Sequence, residues 1–549
     1  MKRSILITSA MATTAAAAIA SAQGAHPQGG TLTVPIITAT FVEDFNPFSN
    51  AQEDLVRGTM FEPLWAHNVM QGGIDFRLAE GFTYADDLMS MTITLRDGLT
   101  WSDGEVLDAE DVAYSIGLGQ EDATLDKTGK WADGLLASVE AVDPTTVRVT
   151  FNRPDSTFDW YVEGIYIVPE HVWRDVEDKI TFKNSAPVGS GPITEVVTMR
   201  DNQVEICRNP HYYKASDGLP FLDCIKFRQY SDNAQIQPAL MAGEIDWGSN
   251  FIADIESTYV ARDPENHGFW YPANDLVNLY LNTRKAPFDD LAFRRAMSMA
   301  LDRETIVDLA AYGYPTVATH ATGLGEYYAA SFNDEVDAEY DQYVAYDPDA
   351  AIALLDEAGY VDVDGDGFRE TPDGAPIDFG IQVVNGWTDW VQSAQMVTEY
   401  LAEVGIRAST ETVDWSVYDS TLKEGSYEVS MSWSTAGVDP IQTYNDYYHP
   451  SRVGQGWHVN HGKASAEMGA LVDEYGQTTD AARREEILAE LMVYTGETMP
   501  FVPLFSNPTW YQYNSTRIGG WPTAENSVVQ PVFYSVGRKL AVFEGLYQK

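Results

Sequence analysis

The chain has 549 residues, 44% of them hydrophobic and 12% aromatic, which suits about three packed units at roughly 150 residues each. Its formal charge is −48, from 82 acidic and 34 basic residues spread along the whole chain rather than gathered in one tail. That surface excludes a phosphate-tracking nucleic-acid binder and docking on anionic lipid, and it suits a saline habitat in which salt screens the self-repulsion.

The N-terminus reads as a secretory signal. Lys2 and Arg3 form a positive start, Ile5 to Ala20 is apolar or small, and Ala20-Ser21-Ala22 is a cleavage site that would leave Gln23 first. The apolar run is short, Ala-rich and interrupted by Thr and Ser, which disfavours a membrane-spanning helix. No Cys stands at the cleavage point to carry a lipid. The expected location is a periplasm, with no membrane insertion.

The next elements are strands. TLTVPII (31–37), MTITLRDGLTWSDG (91–104) and TTVRVTFNRP (145–154) alternate apolar and polar residues between Gly, Asp and Pro punctuation. Asp108 is an N-cap residue, and the segment after it reads as a helix. Cys207 and Cys224 are the two cysteines, and two β-like runs carry them on either side of a turn-rich connection. An oxidising compartment favours a disulfide between them over two free thiols. Two cysteines without a nearby His cluster make a poor zinc site.

Helices dominate further on. They are expected from Phe288 and from Asp302, and over 349–358, 391–404, 464–475 and 479–494, with strands FGIQVV (379–384) and EVSMSW (428–433) between them. Alternation of strands and helices indicates α/β units with mixed sheets. The apolar stretches 277–282 and 500–505 are candidate crossings between two lobes. Two such crossings would make a hinge with a central ligand cleft. The resulting lobes are residues 23–276 plus 505–549, with an extra subdomain at about 66–185, and residues 277–504.

Asp362, Asp364 and Asp366 offer carboxylates at alternate positions of a Gly-containing loop, as calcium loops do, although Asp373 stands at the twelfth position in place of Glu. An acidic turn between helix and strand is the competing reading. His458 and His461 read as a solvated loop rather than a metal site. No P-loop, GxSxG or HExxH is present, and acidic pairs in so acidic a chain nominate no glycosidase.

WSDGEVLDAEDVAYS (101–115), VGSGPITEV (188–196) with RNPHYYK (208–214), and LNTRKAPFDDLAFRRAMSMALDRETIV (281–307) resemble, in order and spacing, blocks of the peptide/oligosaccharide/nickel class of ABC-importer solute-binding proteins, family 5. FNPFSN (45–50), GEIDWGSNF (243–251), FWYPA (269–273), NGWTDW (385–390) and GWPTAENS (520–527) are most similar to its chitin-oligosaccharide- and cello-oligosaccharide-binding members. The resemblance implies a two-lobe periplasmic-binding-protein fold of the large three-subdomain type. It also implies transmembrane permease subunits as partners, a monomer, and no catalysis or cofactor apart from the candidate calcium. It carries over Asn233, Ser249, Trp387, Asp389, Trp433, Trp457 and Tyr534 as cleft contacts. Trp433, Thr435 and Tyr534 stand where the chitin-oligosaccharide pattern has Asn, Phe and Trp. That departure leaves glucose- and xylose-based β-oligosaccharides open beside N-acetylglucosamine.

The residue chemistry points the same way. Flat aromatic rings grip the C–H faces of a sugar, while Asp, Asn and Arg take its hydroxyls. Trp387 and Asp389 in NGWTDW are the foremost pair, with core packing of the tryptophan as the alternative. Three functions follow: capture of a β-linked oligosaccharide, capture of an oligopeptide by the same fold, or hydrolysis of a glycoside by a secreted enzyme.

Overall fold

In a computed structural model of the chain the described residues are 26–549, apart from 50, 52, 456–460 and 528. The secretory signal, Trp457 and His458 therefore lie outside the described residues.

The first core forms around a four-stranded sheet. Its order is Thr31–Ile37, Cys224–Tyr230, Gln203–Arg208, Ile193–Arg200. The first pair is parallel and the others are antiparallel. Alternate residues Val204, Ile206, Ile225 and Phe227 are buried, as the period of two requires. Cys207 and Cys224 stand directly opposite one another on neighbouring strands and are joined by a disulfide.

A second core lies between residues 64 and 167. Its antiparallel sheet runs Ala79–Tyr84, Ser90–Leu95, Thr146–Phe151, Leu136–Asp143. Helix Ala109–Glu121 covers it, started by Asp108, whose side chain accepts the Glu110 N–H. The strand expected over 91–104 stops at Leu95. Gly98 and Gly104, at φ +74° and +91°, turn the chain where alternation alone suggested continuation.

The largest sheet has six strands in the order Thr316–Val317, Phe501–Pro508, Ala273–Leu281, Val429–Trp433, Asp378–Val384, Arg407–Val413. Its first three pairings are antiparallel and its last two parallel. Val277, Leu279, Val502 and Leu504 face one core with helices Leu291–Met299, Arg303–Ala311 and Thr388–Glu403. Tyr280 and Phe501 face the other, with helices Pro440–Tyr448, Ala466–Gln477 and Ala481–Thr498. The helix expected from Phe288 begins at Leu291, because Asp290 caps it by accepting the Ala292 N–H at 2.9 Å.

The two apolar stretches expected to cross between lobes are neighbouring antiparallel strands buried on both faces. Their hydrophobicity reflects the sheet interior. The passage to the first core lies just outside them, at Ala273 beside Pro508, and Tyr511 already belongs to that first core. A small sheet of Trp247–Gly248, Gln512–Asn514 and His267–Phe269 receives the chain there.

Candidate ligand-binding site

Strand Asp378–Val384 ends in a turn at Asn385-Gly386. Gly386 has φ +91°, and a Cβ there would sit 2.7 Å from the Ser231 carbonyl oxygen. Only glycine permits this approach. The Asn233 N–H donates to the Gly386 carbonyl at 3.3 Å, so the first residue of helix Asn233–Met241 meets the NGWTDW turn directly.

Trp387 is the N-cap residue of helix Thr388–Glu403. Its ring lies 4.9 Å from Trp433, 5.2 Å from Trp390 and 5.7 Å from Trp415, centroid to centroid. Trp390 and Tyr418 are buried beneath, while Trp387, Trp415 and Trp433 keep part of their surface accessible. Three half-open indoles on a packed aromatic base form a wall. Trp415, which opens helix Trp415–Glu424, was not singled out from the sequence. It sits almost thirty residues from NGWTDW, and only the parallel pairing of Asp378–Val384 with Arg407–Val413 brings it near.

Asp389 does not share this opening. It lies in the first turn of the helix and is buried at 4% exposure. Its carboxyl accepts the backbone N–H groups of Asp389 and Trp390, and burial pushes it up to about 7. Trp387 and Asp389, two residues apart, would share a face on a strand and could converge on one ring from a loop. The helix begins at Thr388 instead and turns them apart.

Tyr534 is 51% exposed, and its hydroxyl accepts from Asn274 Nδ2 at 3.1 Å. The same amide donates to Asp275 Oδ2 at 3.2 Å. Burial pushes the Asp275 carboxyl up to about 7. Ser249 is half-buried, and its hydroxyl oxygen has no hydrogen-bond partner among the described residues. The structure thus joins Asn233, Trp387 and Trp433 at one place and puts Tyr534 at the crossing strands. No described contact links Ser249 to the tryptophans.

A second aromatic patch surrounds Trp510, with Tyr271 at 4.9 Å, Phe251 at 5.3 Å and Tyr314 at 6.4 Å. Sequence reasoning missed it, although FWYPA carried part of the signal. Further contacts join the segments that belong to different cores. Arg153 pairs with Asp473 at 2.6 Å, Arg538 donates to the Tyr327 hydroxyl at 3.1 Å, and Ser156 donates to the Gly476 carbonyl at 2.8 Å.

The carboxylates of Asp362, Asp364 and Asp366 gather within 4.8 Å on an exposed loop. Asp362 takes the N–H groups of Gly365 and Gly367, and Arg407 pairs with Asp366 at 2.5 Å. The loop therefore presents oxygen donors of the type a hard cation takes, with one of them shared with a guanidinium.

The chain matches the model of bacterial extracellular solute-binding proteins, family 5 Middle, over residues 74–455. It belongs to that family. Among relatives of this family 5 protein, the heme-binding protein A of Haemophilus influenzae is 26% identical over 82% of this chain and 81% of the relative. The glutathione-binding protein GsiB of Salmonella typhi is 29% identical over 81% and 83%. A mannohexaose-bound periplasmic oligopeptide-binding protein of an oligopeptide ABC transporter from Thermotoga maritima superposes with a TM-score of 0.86. It is 28% identical, over 94% of this chain and 98% of that one. The nonapeptide complex of the oligopeptide-binding protein AppA from Bacillus subtilis superposes at 0.81 with 20% identity, over 96% and 100%. The mixed α/β architecture of this family 5 protein is the two-lobe periplasmic-binding fold, and the protein is the substrate-binding component of an ABC importer. Among the described residues, no helix is long and apolar enough to cross a membrane.

Proposed function

We propose that this family 5 protein captures a β-linked oligosaccharide, built from glucose, xylose or N-acetylglucosamine, in a cleft between its lobes. The observation that carries this reading is the wall of Trp387, Trp415 and Trp433 beside Asn233. Partly open indoles suit the C–H faces of sugar rings, whereas a peptide would draw mainly on backbone hydrogen bonds and charge anchors. The mannohexaose complex of a similar protein supports it. The two lobes, joined by the passages at Ala273 and Pro508, close over the ligand. The protein works as a periplasmic monomer that hands the sugar to transmembrane permease subunits.

Oligopeptide capture is the second reading, favoured by the similarity to the glutathione and oligopeptide binders. One panel separates the readings. The protein is incubated with cello-, xylo-, chito- and manno-oligosaccharides, glutathione and mixed tri- to pentapeptides, and its melting temperature and the products are followed. A shift with unshortened β-linked sugar supports the proposal. A shift with peptides alone overturns it, and chain shortening would mean a glycoside hydrolase. Small-angle scattering on the same samples should show compaction with the ligand that shifts melting.

A further inference from the structure

The crossing strands carry a defect in their pairing. Ala273 faces Pro508 and Leu276 faces Ser506, so Asn274 and Asp275 together stand opposite Asn507. Two residues against one is a bulge, the device that re-aims side chains beside functional sites.

The donors at this bulge are few and already engaged: the Asn274 amide donates to Asp275 and Tyr534, and the Asn507 side chain bears on the Asp275 carboxyl. Asn274 is 3% exposed and Asn507 5%, yet the Oδ1 atom of each has no hydrogen-bond partner among the described residues. Asp275 Oδ1 is likewise buried and unpartnered. A buried acceptor without a donor is destabilising, so the three acceptors at one bulge call for a group that supplies hydrogens. Tyr534, half exposed and tied to Asn274 Nδ2, connects the cluster to the accessible surface.

The cluster continues the aromatic wall. Trp433 is the direct partner of Val277 on the neighbouring strand. Asp275 lies two residues before Val277, roughly 7 Å along the strand, within the span of one ligand molecule.

Its charge favours neutral donors. The guanidinium of Arg538 acts on the Asp275 carboxyl and donates to the Tyr327 hydroxyl at 3.1 Å. A second cation would have to enter beside it. Hydroxyl groups carry no such cost.

We propose that Asn274, Asp275 and Asn507 at this bulge, with the Tyr534 hydroxyl, form a specificity-determining subsite that accepts hydrogen bonds from neighbouring hydroxyls of the bound sugar. The proposal rests on the oligosaccharide reading.

The test begins with calorimetric titration of the parent protein with the oligosaccharide that shifts its melting most. Asp275→Asn keeps size and replaces one carboxyl acceptor oxygen with an amide donor, and it should bind roughly ten- to a hundredfold more weakly. Tyr534→Phe removes a single hydroxyl, the one that accepts from Asn274 Nδ2, and should lose several-fold while staying folded. Monodeoxy analogues of the sugar give the second arm. At least one should lose affinity for the parent and none of that loss should persist in Asp275→Asn. Parental affinity in both variants would overturn the subsite and assign the three acceptors to ordered water. A parent that binds peptides and no sugar would overturn the oligosaccharide reading and the subsite together, a result distinct from failure of the subsite alone.

Discussion

Trp387 and Trp390 sit three residues apart and touch each other, yet their surroundings differ. Trp390 is buried at 3% exposure among the core residues of its helix, whereas Trp387 caps the helix and keeps an open flank. Trp390→Ala should cost stability at the level of a large core truncation, about 3–5 kcal/mol, read by chemical denaturation. Trp387→Ala should leave the protein folded with a smaller loss and weaken the best sugar at least about tenfold by calorimetry. Equal destabilisation with unchanged affinity would make Trp387 a core residue. Asp389 has a different signature. Burial lifts its carboxyl from 3.8 to about 7. The folded state then holds the proton more tightly than the unfolded chain. That contribution to stability is complete below about pH 4 and is lost as the pH rises through 7. Asp389→Asn removes the titration, so its melting temperature should gain on the parent's between about pH 4 and pH 7. A difference independent of pH would show that Asp389 ionises freely.

At the scale of elements, the hairpin that carries Asp362, Asp364 and Asp366 is closed by the bridge of Val361 with Glu370. Glu370 Oε2 accepts the Val363 N–H at 2.7 Å and is thereby committed to the turn. The three exposed carboxylates repel one another, and a bound calcium would relieve that repulsion. We propose that the loop takes calcium as a structural ion. Chelation should then lower the melting temperature, and Asp364→Ala should abolish the sensitivity. A parent indifferent to chelator would leave an acidic turn fastened by Arg407. Elements built on local signals were legible in the sequence. Asp108 and Asp302 each cap the helix they announce, whereas the helix expected from Phe288 starts three residues later behind Asp290. The start of the helix at Thr388 was not, because Trp387 makes no side-chain cap and the turn is set by the contact of Gly386 with Ser231.

The whole molecule carries a charge of −48, and its ion pairs engage chiefly the scarce basic residues. The unpaired excess is negative and repels itself in the folded state. Screening lengths fall from about 10 Å at 0.1 M salt to about 3 Å at 1 M. Melting temperature should therefore rise with sodium chloride over this range, measured by scanning calorimetry in the absence of ligand. A fall would show that salt weakens attractive pairs, such as Arg153 with Asp473, more than it relieves repulsion.

The amino-acid sequence by itself determined the acidic surface, the α/β class, the strands that carry Cys207 and Cys224, and most helix starts, because composition, periodicity and caps are local properties. It also identified Trp387, Trp433 and Asn233, which the fold brings together. Only the tertiary structure decided that Asp389 turns inward and that Trp415 joins the wall. It alone placed Asn274, Asp275 and Asn507 around a bulge. Each of these depends on which strand lies beside which. Strand order and register are set by contacts between residues as far apart as 275 and 507, and no local pattern records them.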